Sequence, residues 1–217
     1  MSDSDVFREV DEDYRREQMV AFWRRYGAAV FAGFILVMAG AAGFNYWRAQ
    51  QNAREAARSA EFESLLSSVT PGAEAASADK LAAYAANANP AQSALALLAE
   101  AALRQRAGNL ADAARLYHQI ADGSSADPLL RDLAVVRLGY LAADQATPEP
   151  LIPRLEAIAN NKSPWRYSAR EAAALLTART GQRESAAAML SELVHDPGAP
   201  PDLAGRARAL ADLYRGK

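Results

Sequence analysis

The chain has 217 residues, with 24 basic against 26 acidic side chains, a formal net charge of −2, 51% hydrophobic residues and no cysteine. The missing cysteine excludes a disulfide framework, a thiolate zinc site and a cysteine nucleophile, and it is compatible with an oxidising compartment. The length suits one ordinary domain plus a short tail, and the lack of a long basic block interleaved with aromatics argues against nucleic acid as a partner.

Residues 1–26 read as a tail. Ser2 to Asp5 offer N-cap side chains, and Val6, Val10 and Tyr14 follow at i, i+4 spacing, which predicts a short amphipathic helix leading onward. Its opposite face is acidic (Asp11, Glu12, Asp13), which disfavours an anionic membrane surface at its tip. The tail carries seven acidic and five basic residues and so the whole net charge, while the rest of the chain is balanced.

Residues 27–47, GAAVFAGFILVMAGAAGFNYW, run without one ionisable acid or base. At a rise of about 1.5 Å per residue this helix spans a hydrocarbon core of about 30 Å, and it is expected to cross a lipid bilayer. Val30, Phe31, Phe34, Ile35, Leu36, Val37 and Phe44 together favour insertion by about 3 kcal/mol. Trp23 and Tyr26 at one end and Tyr46 with Trp47 at the other are expected interfacial anchors, fenced by Arg24, Arg25 and Arg48. A buried core helix would show a polar face, which this segment lacks. A cleaved signal peptide would fit the small residues Ala39, Gly40 and Ala41, but the apolar run continues past them and the preceding tail is long and acidic. Ala29 with Gly33, and Ala39 with Gly43, are small-xxx-small pairs that would let another membrane helix approach closely. Four Arg within about 15 residues before the span, against three after it, place the tail in the cytoplasm by a small bias.

Residues 48–70 read as a helical extension, with Ala49, Ala53, Ala56, Ala57, Ala60, Leu65 and Leu66 recurring on one side until Pro71 and Gly72 break it. An Ala-rich stretch, 73–88, is expected to form one or two helices. From there a rhythm sets in. Asn89–Pro90, Asp127–Pro128 and Ser163–Pro164 each pair a capping side chain with a proline suited to the first helical position, at intervals of 38 and 36 residues. That is the length of a two-helix repeat. Gly108 is followed by Ala113 and Tyr117, and Gly181 by Ala186 and Leu190, in the same register: a turn, a small residue for close packing, then a large one filling the space beneath. The middle unit departs, with Thr147, Pro148, Glu149, Pro150 and Pro153 in place of the glycine turn, so that its second helix is expected to start near Glu149. A last helix, 202–214, with Arg206, Arg208 and Arg215 outward, would cap the array.

These units look like degenerate tetratricopeptide repeats in which Leu98, Ala101 and Arg104 stand near the signature positions and the usual large aromatic of the first helix is missing. With VDEDYRREQMVAFWRRYG (10–27), GNLADAARLY (108–117), LRDLAVVRLG (130–139) and PWRYSARE (164–171), the chain resembles the bacterial tetratricopeptide-like family of ancillary SecYEG translocon subunits over nearly its whole length. The resemblance implies an all-α protein: one transmembrane helix, then a tetratricopeptide-like α-solenoid of antiparallel helix pairs over 71–217 with a C-terminal capping helix. It further implies a bacterial inner-membrane protein with a cytoplasmic N-terminus and a periplasmic repeat domain. The implied partners are the Sec translocon channel, a membrane-anchored periplasmic chaperone of the prolyl isomerase type, and secreted polypeptides.

Nothing in the sequence adds a catalytic, metal or cofactor reading. His118 and His195 lack the spacing of a ligand pair, and Gly123, Ser124 and Ser125 form no nucleophile elbow. Glu61 with Glu63, and Asp122 with Asp127, read as solvated or capping acids. Trp165 is expected either to staple one unit to the previous one or to sit in a peptide groove. The expected function is non-enzymatic protein binding at a membrane, with a self-associating envelope or division scaffold as the alternative.

Overall fold

The computed structural model describes residues 3–144 and 151–216, with side chains described at 23–28, 31–144 and 151–216. Among the described residues every regular element is an α-helix, in agreement with the all-α expectation. The chain divides into two compact units, Met1–Ala57 and Arg58–Lys217. Helix α1 (Asp3–Ser67) supplies the first unit and gives its last turns, from Arg58 on, to the second.

Within the second unit those last turns meet α2 (Glu74–Asn87) through long side chains. The Phe62 and Tyr84 rings lie 5.6 Å apart, and the Tyr84 hydroxyl donates to the Arg58 carbonyl at 3.0 Å. The Ala-rich stretch 73–88 thus forms one helix, α2. The next boundaries follow the capping chemistry. Asn89 Oδ1 accepts the Gln92 N–H at 2.9 Å to open α3 (Pro90–Arg106), and Asp127 Oδ1 accepts the Leu129 N–H at 2.8 Å to open α5 (Pro128–Ala143). Proline stands in the first turn of both, where its missing N–H leaves no hydrogen bond unmade.

The third expected cap behaves differently. Helix α7 (Arg166–Arg179) starts two residues after Pro164, with Trp165 in the cap position. Ser163 stands in a tight turn ahead of the helix: its hydroxyl accepts the Trp165 N–H at 3.4 Å and donates to Asp132 Oδ2 at 2.8 Å, while its carbonyl accepts the Arg166 N–H. Helix α6 (Ile152–Ala159) also starts later than the expected Glu149, with Pro153 in its first turn; Thr147 to Pro150 lie outside the described residues.

The two glycine turns match each other. Between α3 and α4 (Leu110–Asp122), Gly108 has φ +83, its N–H donates to the Gln105 carbonyl at 3.1 Å, and the Asn109 N–H donates to the Arg104 carbonyl at 2.8 Å. Between α7 and α8 (Arg183–His195), Gly181 has φ +91, with the same two bonds to the Ala178 and Thr177 carbonyls at 3.0 and 3.2 Å. This paired closure satisfies carbonyls that a helix end otherwise leaves open, and its left-handed residue favours glycine. Both turns then deliver the expected register: Ala113 and Ala186 are fully buried, and Tyr117 and Leu190 are buried beside them.

Consecutive helices from α2 onward pack on one another, and the alternate helices α3, α5, α7 and α9 (Pro201–Tyr214) also meet, which is the arrangement of a stacked repeat array. The main core runs from α3 to α7, and a second cluster joins α7, α8 and α9. Gly139 permits a close approach of α5 to α6 and α7: a Cβ there would lie 2.9 Å from Leu155 Cδ1 and 3.1 Å from the Ala172 Cβ. Helix α9 closes the array on Leu203, Ala207 and Ala211. The three arginines expected outward on it are all exposed, and from there Arg206 reaches a carboxylate on α7 and Arg215 bonds the Ser191 hydroxyl.

Candidate functional site

In the first unit the apolar side chains of α1 have nowhere to go. Phe31, Leu36 and Val37 are 64%, 73% and 70% exposed, and Phe34, Ile35, Met38 and Phe44 are exposed with them. An uninterrupted apolar surface of this size has no aqueous solution on a single helix and requires an apolar surrounding. The helix is long and apolar enough to cross a membrane. The sequence-predicted anchors bracket this surface. Trp23 and Tyr26 stand at one end, with the Arg25 guanidinium 5.7 Å from the Tyr26 ring centroid. Tyr46 and Trp47 stand at the other, where the Trp47 ring lies 6.3 Å from that of Phe44 and the Tyr46 hydroxyl accepts from Gln50 Nε2 at 3.3 Å. Nothing lies within 4 Å of where a Cβ would sit on Gly33, Gly40 or Gly43, so the small positions form an open face. Ala39 is exposed on the same helix; the Ala29 side chain lies outside the described residues.

In the second unit, α5 and α7 are buried along most of their middles. From Ala134 to Ala142 on α5, every residue is buried except Arg137 and Tyr140. On α7, Ser168 and Leu175 are half-buried, and Glu171 between them on the same helix face is buried. A polar bridge joins α5, α7 and α9. Glu171, 2% exposed, accepts Arg206 Nε at 3.1 Å and Nη2 at 2.9 Å, and the Tyr140 hydroxyl donates to its Oε2 at 2.6 Å. Burial, and then the bond to Glu171, push the Tyr140 phenol well above its ordinary range, so it stays protonated and donating. The bond to Glu171 likewise raises Arg206. With a fork from Arg206 and a phenol all aimed at one carboxylate, the group ties α5, α7 and α9 together instead of holding a proton ready for transfer.

The remaining candidates have local partners. His118 faces Asp122 at 3.5 Å, Asp122 also pairs with Arg154 at 2.9 Å, and His195 Nδ1 lies 2.6 Å from the Ser191 carbonyl. Among the described residues no group of three or more His, Asp or Glu is arranged to hold a metal ion. Trp165 resolves as a staple: it packs against the main core, and its Nε1 donates to the Leu129 carbonyl at 3.0 Å, joining the starts of α5 and α7. Local sequence did not point to the Tyr140–Glu171–Arg206 bridge, because its members come from three helices.

Comparison with known proteins agrees with this architecture. The profile of a family described as a tetratricopeptide repeat-like domain matches residues 20–190. Over 92 residues the chain is 30% identical to an ancillary SecYEG translocon subunit of Haemophilus influenzae, an alignment that covers 42% of this chain and 45% of that protein. The chain thus spans a little under half the length of the curated relative it matches. No solved structure matches. Since the profile covers most of the chain, from the apolar helix through α7 and into α8, this protein belongs to the tetratricopeptide repeat-like domain family.

Proposed function

We propose that the chain is a membrane-tethered, non-catalytic protein-binding module that works beside a SecYEG-type translocon in the bacterial inner membrane. In this reading residues 27–47 cross the bilayer, residues 1–26 lie in the cytoplasm, and the repeat array over 71–217 lies in the periplasm. There it links the channel to a membrane-anchored chaperone of the prolyl isomerase type and assists newly secreted chains. The observation that carries the reading is the family match over 20–190, which joins the apolar helix and the array in one unit of descent. The name of the Haemophilus relative supplies the translocon. Physical chemistry supplies the rest: an unpartnered apolar helix serves as an anchor, and stacked helix pairs present an extended surface for polypeptide. The open face through Gly33 and Gly43 is the proposed contact with a membrane helix of the channel, with Ala29 and Ala39 beside it.

A reporter active only in the periplasm, fused after Lys217, is expected to be active and membrane-bound. The chain lacks cysteine, so one cysteine placed at Gly33 or Gly43 gives a unique handle for crosslinking to the channel. Leucine at both glycines should cut that co-purification several-fold without unfolding the helix, because nothing occupies the space beside them. An inactive reporter with intact expression would overturn the orientation. Unchanged recovery of the channel with both leucines would overturn the membrane contact.

A further inference from the structure

A cleft of about 460 Å³ lies between the last turns of α1 and helix α2, within the second unit. It stays open because α1 reaches α2 through Phe62, Leu65 and the Tyr84–Arg58 hydrogen bond, while Ala83 and Ala88 are too short to fill the gap. Its walls are therefore mainly apolar, Leu65, Ala83, Ala88 and the Tyr84 ring, with Asn87 among them. Its rim carries Arg58, Lys80 and one acid, Glu61.

The charges on this rim are unspent, which sets them apart from others in the unit. Arg104 is held by Asp79 at 2.7 Å and Arg154 by Asp122 at 2.9 Å, whereas neither Arg58 nor Lys80 enters an ion pair among the described residues. The other clefts lack this combination. The one of about 340 Å³ bounded by Ala85, Leu97 and Gln119 has no charged lining, and the one beside α6 has Arg131 next to Asp132, with Arg154 already held by Asp122. Two free cations beside an apolar recess of this size select one kind of occupant. An apolar side chain fills the recess and removes its walls from water, and a carboxylate next to it takes charge-assisted hydrogen bonds from the rim.

We infer that this cleft docks a peptide segment of a partner protein that presents an apolar side chain beside a carboxylate. The inference rests on the protein-binding reading and goes beyond it by giving a site and the chemistry of its partner. Leu65, Ala83 and the Tyr84 ring receive the apolar group; Arg58 and Lys80 receive the carboxylate. Glu61 opposes that carboxylate and holds the affinity down.

The test is a titration of the full chain in neutral detergent micelles against a fluorescent, end-capped hexapeptide of alternating phenylalanine and aspartate, with its asparagine counterpart as control. The aspartate peptide should bind at least about tenfold more tightly than the asparagine one and weaken as salt is raised. Combined Arg58→Ala and Lys80→Ala should remove most of that difference, and Glu61→Gln should strengthen binding about two- to fivefold. All three side chains are exposed, so the variants are expected to keep their helical spectra. Equal affinity for the two peptides, no binding up to about 1 mM, or unchanged binding by the double variant would each overturn the inference. The crosslinking at Gly33 and Gly43 reads the membrane contact separately, so the failure of either proposal is told apart from the failure of the other.

Discussion

Removing the Arg206 guanidinium tests how the array is closed. Arg206→Ala takes two charge-assisted hydrogen bonds from a carboxylate that is 2% exposed and leaves it with the Tyr140 hydroxyl as its remaining side-chain donor. Bonds to a charged group contribute about 1.5–3 kcal/mol, but the Arg206 side chain is 59% exposed and solvent replaces part of the loss. The expected cost is about 1–2 kcal/mol. In a unit of this size that lowers the melting temperature by roughly 3–6 °C. It should also speed hydrogen exchange at the α9 amides by about 5–30-fold, read on the full chain in detergent. The decisive arm is the second background. In a Glu171→Leu variant the arginine has no carboxylate to serve, so Arg206→Ala should there cost close to nothing. An apolar residue at 171 also removes the buried charge that the bridge exists to satisfy. Equal losses from Arg206→Ala in both backgrounds would refute the reasoning, since Arg206 would then act through something other than Glu171.

Other substitutions probe the packing and the turns. Gly139→Ala drives a Cβ into Leu155 and Ala172 and should cost about 1–2 kcal/mol in thermal unfolding, after a gain in helix propensity of under about 1 kcal/mol. Gly108→Ala and Gly181→Ala meet open space, so each should lose only the backbone cost of a left-handed alanine, about 1 kcal/mol, and the two should add. Glu100 is 4% exposed, and burial raises its carboxyl above the ordinary 4.5 despite Arg104. In the window above that value the folded chain binds the proton more tightly than the unfolded one, so this group makes stability fall as pH rises through the window. Glu100→Gln should remove that component; melting curves at successive pH values that show the same wild-type minus variant difference throughout would refute it.

What the sequence made legible was periodic or local. The apolar run 27–47 announces itself by length, the caps at Asn89 and Asp127 by a side chain three or two residues before the amide it accepts, and the glycine turns by repeating in one register. At Ser163 the serine–proline pair folds into a turn ahead of the helix, and its hydroxyl joins the Trp165 N–H to Asp132 on another helix, a partner that local sequence does not show. Arg206 is exposed, as an outward residue of a capping helix should be, but its partner was hidden from local sequence because that acid belongs to α7. The cleft beside α2 was equally hidden: Ala83 and Ala88 look like ordinary helix formers, and only the spacing of two helices turns their short side chains into a recess.

Yet the long-range links are not scattered. Tyr140 and Glu171 are 31 residues apart, Glu171 and Arg206 are 35, Asp132 and Ser163 are 31, and Leu129 and Trp165 are 36. Each separation is close to one repeat, because in a stacked array a residue one unit further along the chain sits on the neighbouring helix pair. The rhythm that predicts the helices therefore also predicts where partners should be sought: a buried acid at one position calls for a donor about one unit before or after it. The same geometry bounds how far damage can travel. Each unit leans only on its neighbours, so loss of the Arg206 contact should loosen α9 and the end of α7 while the α3–α4 pair keeps its protection. A lesion at Gly139, where α5, α6 and α7 meet, has neighbours on both sides and should be felt across the middle of the array.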